Sequence, residues 1–355
     1  MTPASSLPMP TITIGGRAIG PDQPPFIIAE LSGNHNQSLE RGLAIVDAVA
    51  AAGAHAIKLQ TYTADTMTLP GAYRIDDPNS LWFGRELHEL YQEAYTPWDW
   101  HQPLFERAKQ HGMLAFSSPF DESAVDFLET LDVPAYKIAS FENTDWPLLR
   151  RVAATGKPVI MSTGASTLAE VAEAEQVLRA AGCQELVLLK CTSTYPATPL
   201  NTNLRTIPHL AQLFPASPIG LSDHTAGVGA AVAAVALGAC VVEKHVTLRR
   251  ADGGVDSAFS LEPEEVAALV IETERAWQAL GQIQYGVQRA EEKSRLYKRS
   301  LYVAQDIAAG EVFTPDNLRV VRPGLGLPPR YYDQLLGKPA RQNLAAGTPL
   351  TWEML

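Results

Sequence analysis

Two lysines sit where lysines are costly. Lys58 lies in AIKLQ and Lys137 in YKIAS, each among apolar neighbours. Taking an unpaired ammonium out of water costs several kcal/mol. Each lysine therefore needs a route to the rim, a carboxylate partner, or an anion to hold. Ser140 in KIASFE, and Ser162 with Thr163 in MSTGAS, would complete a site for a carboxylate or phosphate. A Schiff-base lysine is the rival chemical role. Two histidines, His224 in GLSDHT and His245 in VEKHV, each end a short apolar run. On adjacent strands, two such imidazoles could hold one divalent ion with water in the open positions, and Glu30 and Glu243 could approach it. The competing reading is one structural histidine beside one hydrogen-bonded rim histidine. His35, in SGNHNQ, is a weaker candidate, and His55, His88, His101, His111 and His209 read as solvated or structural. The three cysteines, Cys183, Cys191 and Cys240, form no CxxC. They read as buried free thiols rather than a disulfide framework or zinc site.

These residues need a scaffold, and the rhythm of the chain predicts one. Short β-rich runs occur at 26–31, 56–62, 113–118, 135–140, 158–163, 186–193, 218–224 and 240–246. Amphipathic helical stretches lie between them, several opened by Ser, Thr, Asp or Asn and several closed by Gly. Eight strands each followed by a helix, in about 250 residues, predict an α/β (β/α)8 TIM barrel. An open doubly wound sheet would carry a glycine-rich phosphate turn after its first strand. The sequence AELSGNHN has no such turn. Barrel active sites lie at the C-terminal strand ends. That rule collects Glu30, Lys58, Gln60, Ser117, Ser118, Lys137, Ser140, Ser162, Thr163, Ser193, Tyr195, Ser222, Asp223, His224, Glu243 and His245 at one mouth. Such polarity is excessive for a lining that binds nothing.

The flanking segments are also legible. TITIGGRAIG predicts a small hairpin turning at Gly15 and Gly16. The long insertion at 63–97 reads as a lid on the active face. Residues 1–280 are thus expected to form the hairpin and barrel, 281–298 a polar linker, and 299–355 a small β-rich module with similar AAGE and AAGT turns. Arg322 lies in this module on the stiff turn VRPGLGLPP. The chain of 355 residues is 46% hydrophobic and 19% charged, enough apolar surface to exclude a long disordered chain. It has no apolar run of about 20 residues and starts without a signal-like segment, so a cytoplasmic location is expected. Its net charge of -11 argues against nucleic acid or an anionic membrane as a partner.

From about residue 11 to the end, the segments AELSGNHNQS, KLQTYTADTMTL, FSSPFDESAVDFLE, YKIASFE, MSTGAS, KCTSTYP, GLSDHT and VEKHVTL occur in order. In these the chain resembles the sialic acid synthase family, which joins phosphoenolpyruvate to an N-acetylated amino sugar. AYTPW, SSPFD, KIASFE and DSAFSLEP are similar to its pseudaminic acid branch. The resemblance implies a TIM barrel followed by an antifreeze-like (SAF) domain. It implies condensation of phosphoenolpyruvate with a 2,4-diacetamido-2,4,6-trideoxy hexose, giving a nonulosonic acid and phosphate by C–O cleavage. Glu30, Lys58, Lys137 and Glu243 match the catalytic positions. Gln60, Ser140, Ser162, Ser193, Tyr195, Ser222, Asp256 and Arg322 match substrate contacts. His224 and His245 match the metal ligands, with Mn2+, Co2+ or Mg2+ expected, since two imidazoles with open oxygen positions select weakly. Ser193 departs from the neuraminate branch, which has asparagine in its NxYP motif. The resemblance also implies a domain-swapped homodimer in which Arg322 acts in trans. The alternatives are a neuraminic or legionaminic acid synthase and, outside enzymes, a sugar-binding protein of polysaccharide assembly. The intact Glu30, Lys58, Lys137, His224 and His245 speak against the last.

Overall fold

A computed structural model describes residues 10–355. The chain divides into two compact units, one ending at Gly281 and one spanning Gln282–Leu355.

The first unit opens with a hairpin of β1 (Ile12–Ile14) and β2 (Arg17–Ile19). Gly15 and Gly16 turn it with positive φ, 54° and 82°, which favours glycine. A Cβ at Gly15 would also collide with the Leu114 side chain. Ile12, Ile14 and Ile19 join the same buried cluster as Phe26 and Phe116, so the hairpin is packed onto the barrel.

Eight parallel strands follow: β3 (Phe26–Glu30), β4 (Ala56–Thr61), β5 (Leu114–Pro119), β6 (Tyr136–Ile138), β7 (Val159–Ser162), β8 (Leu186–Cys191), β9 (Ile219–Asp223) and β10 (Val241–His245). Each pairs with the next, and β10 returns to β3 to close the barrel. The closure sets His245 opposite Glu30, and Glu30 opposite Lys58. Side-chain alternation along each strand sends successive residues to opposite faces.

The helices form where the patterning predicts them, including Leu39–Ala51, Glu122–Thr130, Leu168–Ala180 and Pro263–Leu280. Ser38, Asp121 and Thr167 each accept a backbone N–H of the first turn. Such caps are worth about 1 kcal/mol each. The insertion at 63–97 carries two short helices, Ala64–Met67 and Leu87–Ala94.

The second unit differs in detail from a plain linker and strands. Residues Arg289–Tyr297 form 3-10 turns within the stretch expected to be an irregular linker. Glu291 caps their start by accepting the Gln288 N–H at 3.0 Å. The module has two regular strands, β11 (Ser300–Val303) and β12 (Leu318–Val321), around a core of Leu301, Phe313, Leu318 and Leu350. The segments before the AAGE and AAGT turns pair directly. Ile307 and Leu344 exchange both backbone hydrogen bonds at 2.8 Å.

Candidate active site

A cavity of about 380 Å³ opens at the C-terminal end of the barrel strands. Lys58, Gln60, Lys137, Ser140, Ser162, Tyr195, Ser222, His224, Glu243, His245 and Asp256 all line it. Of the residues matched to catalytic, substrate or metal positions, three do not. Glu30 is fully buried just beneath, Ser193 stands beside Cys191, and Arg322 is exposed in the second unit.

Two ammoniums and two carboxylates make the floor. Lys58 Nζ is ion-paired with Glu30 Oε2, lies 3.5 Å from Glu243 Oε1, and donates to Ser118 Oγ at 3.2 Å. Lys137 Nζ donates to Ser162 Oγ at 2.7 Å and lies 3.7 Å from the same Glu243 oxygen. Ser222 Oγ donates to that oxygen as well, at 3.3 Å, while Glu243 Oε2 is buried without a partner. Gln60 Nε2 donates to Glu30 Oε1 at 2.9 Å. Burial opposes charge on Lys58, but Glu243 and Glu30 outweigh it and hold its pKa above the usual lysine value. Burial lowers Lys137, with Glu243 opposing and Lys58 reinforcing. Burial raises Glu30 against the attraction of Lys58. An anion entering here would meet preorganised cations in a low dielectric.

The two histidines stand with ring centroids 5.2 Å apart. His224 Nδ1 faces the Thr192 carbonyl oxygen at 3.0 Å. A carbonyl only accepts, so Nδ1 carries hydrogen, and in the neutral ring Nε2 keeps the lone pair. His245 Nδ1 is buried without a hydrogen-bond partner, 3.7 Å from Asp256 Oδ2. Burial, reinforced by the charge His224 carries when protonated, holds His245 well below the usual histidine value. One imidazole fixed by a carbonyl and one orphaned ring nitrogen fit a divalent ion. Among the described residues, no third His, Cys, Asp or Glu completes such a group. Both expected carboxylates are engaged by the lysines, and Glu243 is also near enough to His224 for the two to attract. The physical reason is the Coulomb attraction of buried opposite charges.

Tyr195 packs on His224 at 4.5 Å and on Phe259 at 5.5 Å between centroids. Asp256 accepts the Ser32 hydroxyl, and burial raises its carboxyl. Gly164 of MSTGAS donates its N–H to Ser140 Oγ at 3.1 Å. A Cβ there would collide with the hydroxyls of Ser140 and Ser193 and force both to turn away.

Some site residues escaped the sequence reading. Glu142 lines the cavity, because a 3-10 turn, Ser140–Glu142, follows β6 and turns it in. Its Oε2 is buried without a partner, and burial pushes its carboxyl up to about 7 against the pull of Lys137. The motif KIASFE held the signal, a carboxylate two positions beyond Ser140. Cys191 is a buried thiol, as expected, yet it stands in the cavity wall. Burial would raise its pKa, but hydrogen bonding and charge at His224 outweigh this and bring it to about 7. Ser117, Ser118, Thr163 and Asp223, collected by the strand-end rule, do not line the cavity. Ser117 bonds Thr61 Oγ1 at 2.6 Å, and Asp223 bonds Lys244. His35 is fully buried and bonded to the Gln37 N–H and Thr96, a structural role.

A closed (β/α)8 barrel with an anion cradle and a histidine pair at its mouth, followed by a small β module, defines the class of protein. The chain belongs to the NeuB family, which it matches over residues 45–285, and residues 298–355 match the SAF domain. It is 44% identical to the pseudaminic acid synthase of Campylobacter jejuni, over 93% of this chain and 96% of that protein. Identity to the pseudaminic acid synthase of Helicobacter pylori is 41%, over 93% and 97%. The crystal structure of the N-acetylneuraminic acid synthetase of Leptospira borgpetersenii, in complex with citrate, superposes with a TM-score of 0.72 at 34% identity. That match covers 81% of this chain and 95% of the other.

Proposed function

We propose that this chain is a pseudaminic acid synthase. It condenses phosphoenolpyruvate with a 2,4-diacetamido-2,4,6-trideoxy hexose and water to give a nine-carbon nonulosonic acid and inorganic phosphate. The observation that carries the reading is the convergence of Lys58 and Lys137 on one buried point beside the His224–His245 pair. The identity to two pseudaminic acid synthases supports the choice of sugar.

Carbon 3 of the enolpyruvate attacks the aldehyde carbon of the open-chain sugar. Water adds at the resulting cationic carbon 2, and phosphate departs with the bridging oxygen. Lys58 and Lys137 hold the anion, with Ser140, Ser162 and Ser222 as hydroxyl partners. Glu30, between Lys58 and Gln60, orients or deprotonates the water. Its raised pKa suits a group that accepts a proton near neutral pH. Glu243 holds the two ammoniums together. Gln60, Tyr195 and Asp256 contact the sugar, Ser193 backs that wall from beside Cys191, and Glu142 adds a carboxylate to the cavity lining. His224 and His245 would hold a divalent ion, which when bound supplies Lewis-acid polarisation of the aldehyde oxygen.

The assembly we propose is a swapped homodimer in which Arg322 serves the partner's barrel. The exposure of every residue from 281 to 299, and of Arg322 itself, supports it. A cytoplasmic location accords with phosphoenolpyruvate as substrate, and among the described residues no helix is long and apolar enough to cross a membrane.

The test incubates the protein with bridge-18O phosphoenolpyruvate and a panel of N-acetylated hexoses, including the neuraminic and legionaminic precursors. The expected result is the pseudaminic acid mass from one sugar and 18O in the released phosphate. Label retained in the sugar product, or a preference for another precursor, would refute the reading.

A further inference from the structure

The cavity has two different surfaces. The charged and hydroxyl groups form its floor. The cavity's apolar lining comes largely from the insertion after β4, which contributes Met67, Ile75, Trp82, Leu87 and Leu90, with Phe120 and Phe141 added from the connections after β5 and β6.

The insertion is built to hold Met67, Ile75, Trp82 and Leu87 in place. Ile75 N donates to Arg85 O at 2.9 Å and Gly84 N to Ile75 O at 2.8 Å, while Leu87 N donates to Tyr73 O at 3.0 Å. These bonds make a hairpin that carries Ile75 and Leu87. Trp82 Nε1 donates to Val255 O at 3.1 Å, tying the hairpin to the loop that bears Asp256. The four side chains are half-buried, whereas Leu69, Leu81 and Phe83 of the same segment are exposed. Only Trp82 among the four has a polar hydrogen, and Val255 uses it.

We infer that Met67, Ile75, Trp82 and Leu87 form the subsite for the methyl-bearing end of the acceptor sugar and select a 6-deoxy hexose over its 6-hydroxy counterpart. The inference rests on the synthase reading above. The aldehyde carbon must meet the enolpyruvate at the floor, beside Lys58, Lys137 and the histidines. The far end of the hexose, five carbons on, then meets the apolar wall. A hydroxyl there would lose its bonds to water and gain no partner from Met67, Ile75 or Leu87. A methyl group gives up no hydrogen bond and removes apolar surface from water. An apolar wall rejects an added hydroxyl only moderately, so the selectivity is about ten- to a hundredfold.

The experiment compares kcat/KM for two sugars of one configuration, the 2,4-diacetamido-2,4,6-trideoxy hexose and the same sugar with a 6-hydroxyl, using the full chain and saturating phosphoenolpyruvate. The expected wild-type ratio favours the deoxy sugar by roughly ten- to a hundredfold. Ile75→Thr and Met67→Gln should each shrink that ratio at least about threefold, by weakening the deoxy sugar, with KM for phosphoenolpyruvate unchanged. A wild-type ratio near one overturns the subsite while leaving the synthase reading intact, and this measurement needs no variant. An unchanged ratio in both variants, with wild-type thermal midpoints, overturns it as well. Turnover of neither sugar overturns the synthase reading and the subsite together.

Discussion

Lys244 Nζ lies 2.8 Å from Asp223 Oδ2, and both side chains are buried between strands β9 and β10. Lys244 also donates to the carbonyls of Thr225 at 2.6 Å and Gly227 at 2.9 Å, and Asp223 accepts from Thr225 N at 2.9 Å. The pair therefore clamps the chain on either side of His224 to the residue before His245. Lys244→Met leaves a buried carboxylate without its cation and is expected to cost about 3–5 kcal/mol. The double variant with Asp223→Asn should lose clearly less than the sum of the singles in a denaturant titration. Additive losses would show that the two groups are not coupled.

The histidine pair makes a prediction about metal. Exhaustive chelation should abolish turnover, and Mn2+, Co2+ or Mg2+ should restore it. His224→Ala should lose bound ion in calorimetry as well as activity. Full activity in demetallated protein would sink the metal assignment.

The lysines make one about the anion. Lys58→Ala or Lys137→Ala should lower kcat/KM by at least about a hundredfold, near 3 kcal/mol. Lys58→Arg should rescue incompletely, because a planar fork does not replace a compact ammonium. A near-normal KM for phosphoenolpyruvate in both alanine variants would place the anion elsewhere.

Two buried histidines predict acid lability. Burial depresses His35 and His101 to about 4 each, opposed in part by their backbone hydrogen bonds. Unfolded histidine titrates near 6.5. Between pH 6.5 and 4 the unfolded chain thus binds more protons than the folded one. Stability falls as pH drops through that window, by up to about 1.4 kcal/mol per group per pH unit. His101→Gln should flatten the slope of unfolding free energy against pH between 6 and 5. An unchanged slope would show that His101 does not control it.

Arg322 predicts complementation. Glu30→Gln and Arg322→Ala chains, each inactive alone, are refolded together in equal amounts. Random pairing makes about half the dimers mixed, and one of the two sites in each is whole, so about one quarter of wild-type activity should return. A dead mixture, with mixed dimers demonstrated, would refute action in trans.

Strand period and strand count carried most of the architecture in the sequence. Residues such as Lys58, Lys137, Ser222, Glu243 and His245 were legible because alternation is a local property, and barrel strands present their functional groups at one end. The lid was visible only as an unusually long connection. The pairing of the inward groups was a different matter. Glu243 faces both lysines because barrel closure brings β10 across from β4 and β6, a relation no local window contains. Glu142 entered the cavity through a 3-10 turn just past the expected strand, where alternation no longer assigns a face. Cys191 passed for an inert thiol until His224, from the neighbouring strand, stood beside it. Periodicity says which face of a strand a residue takes; tertiary structure decides which charges become neighbours, because Coulomb and hydrogen-bond energies depend on separations across the barrel rather than along the chain.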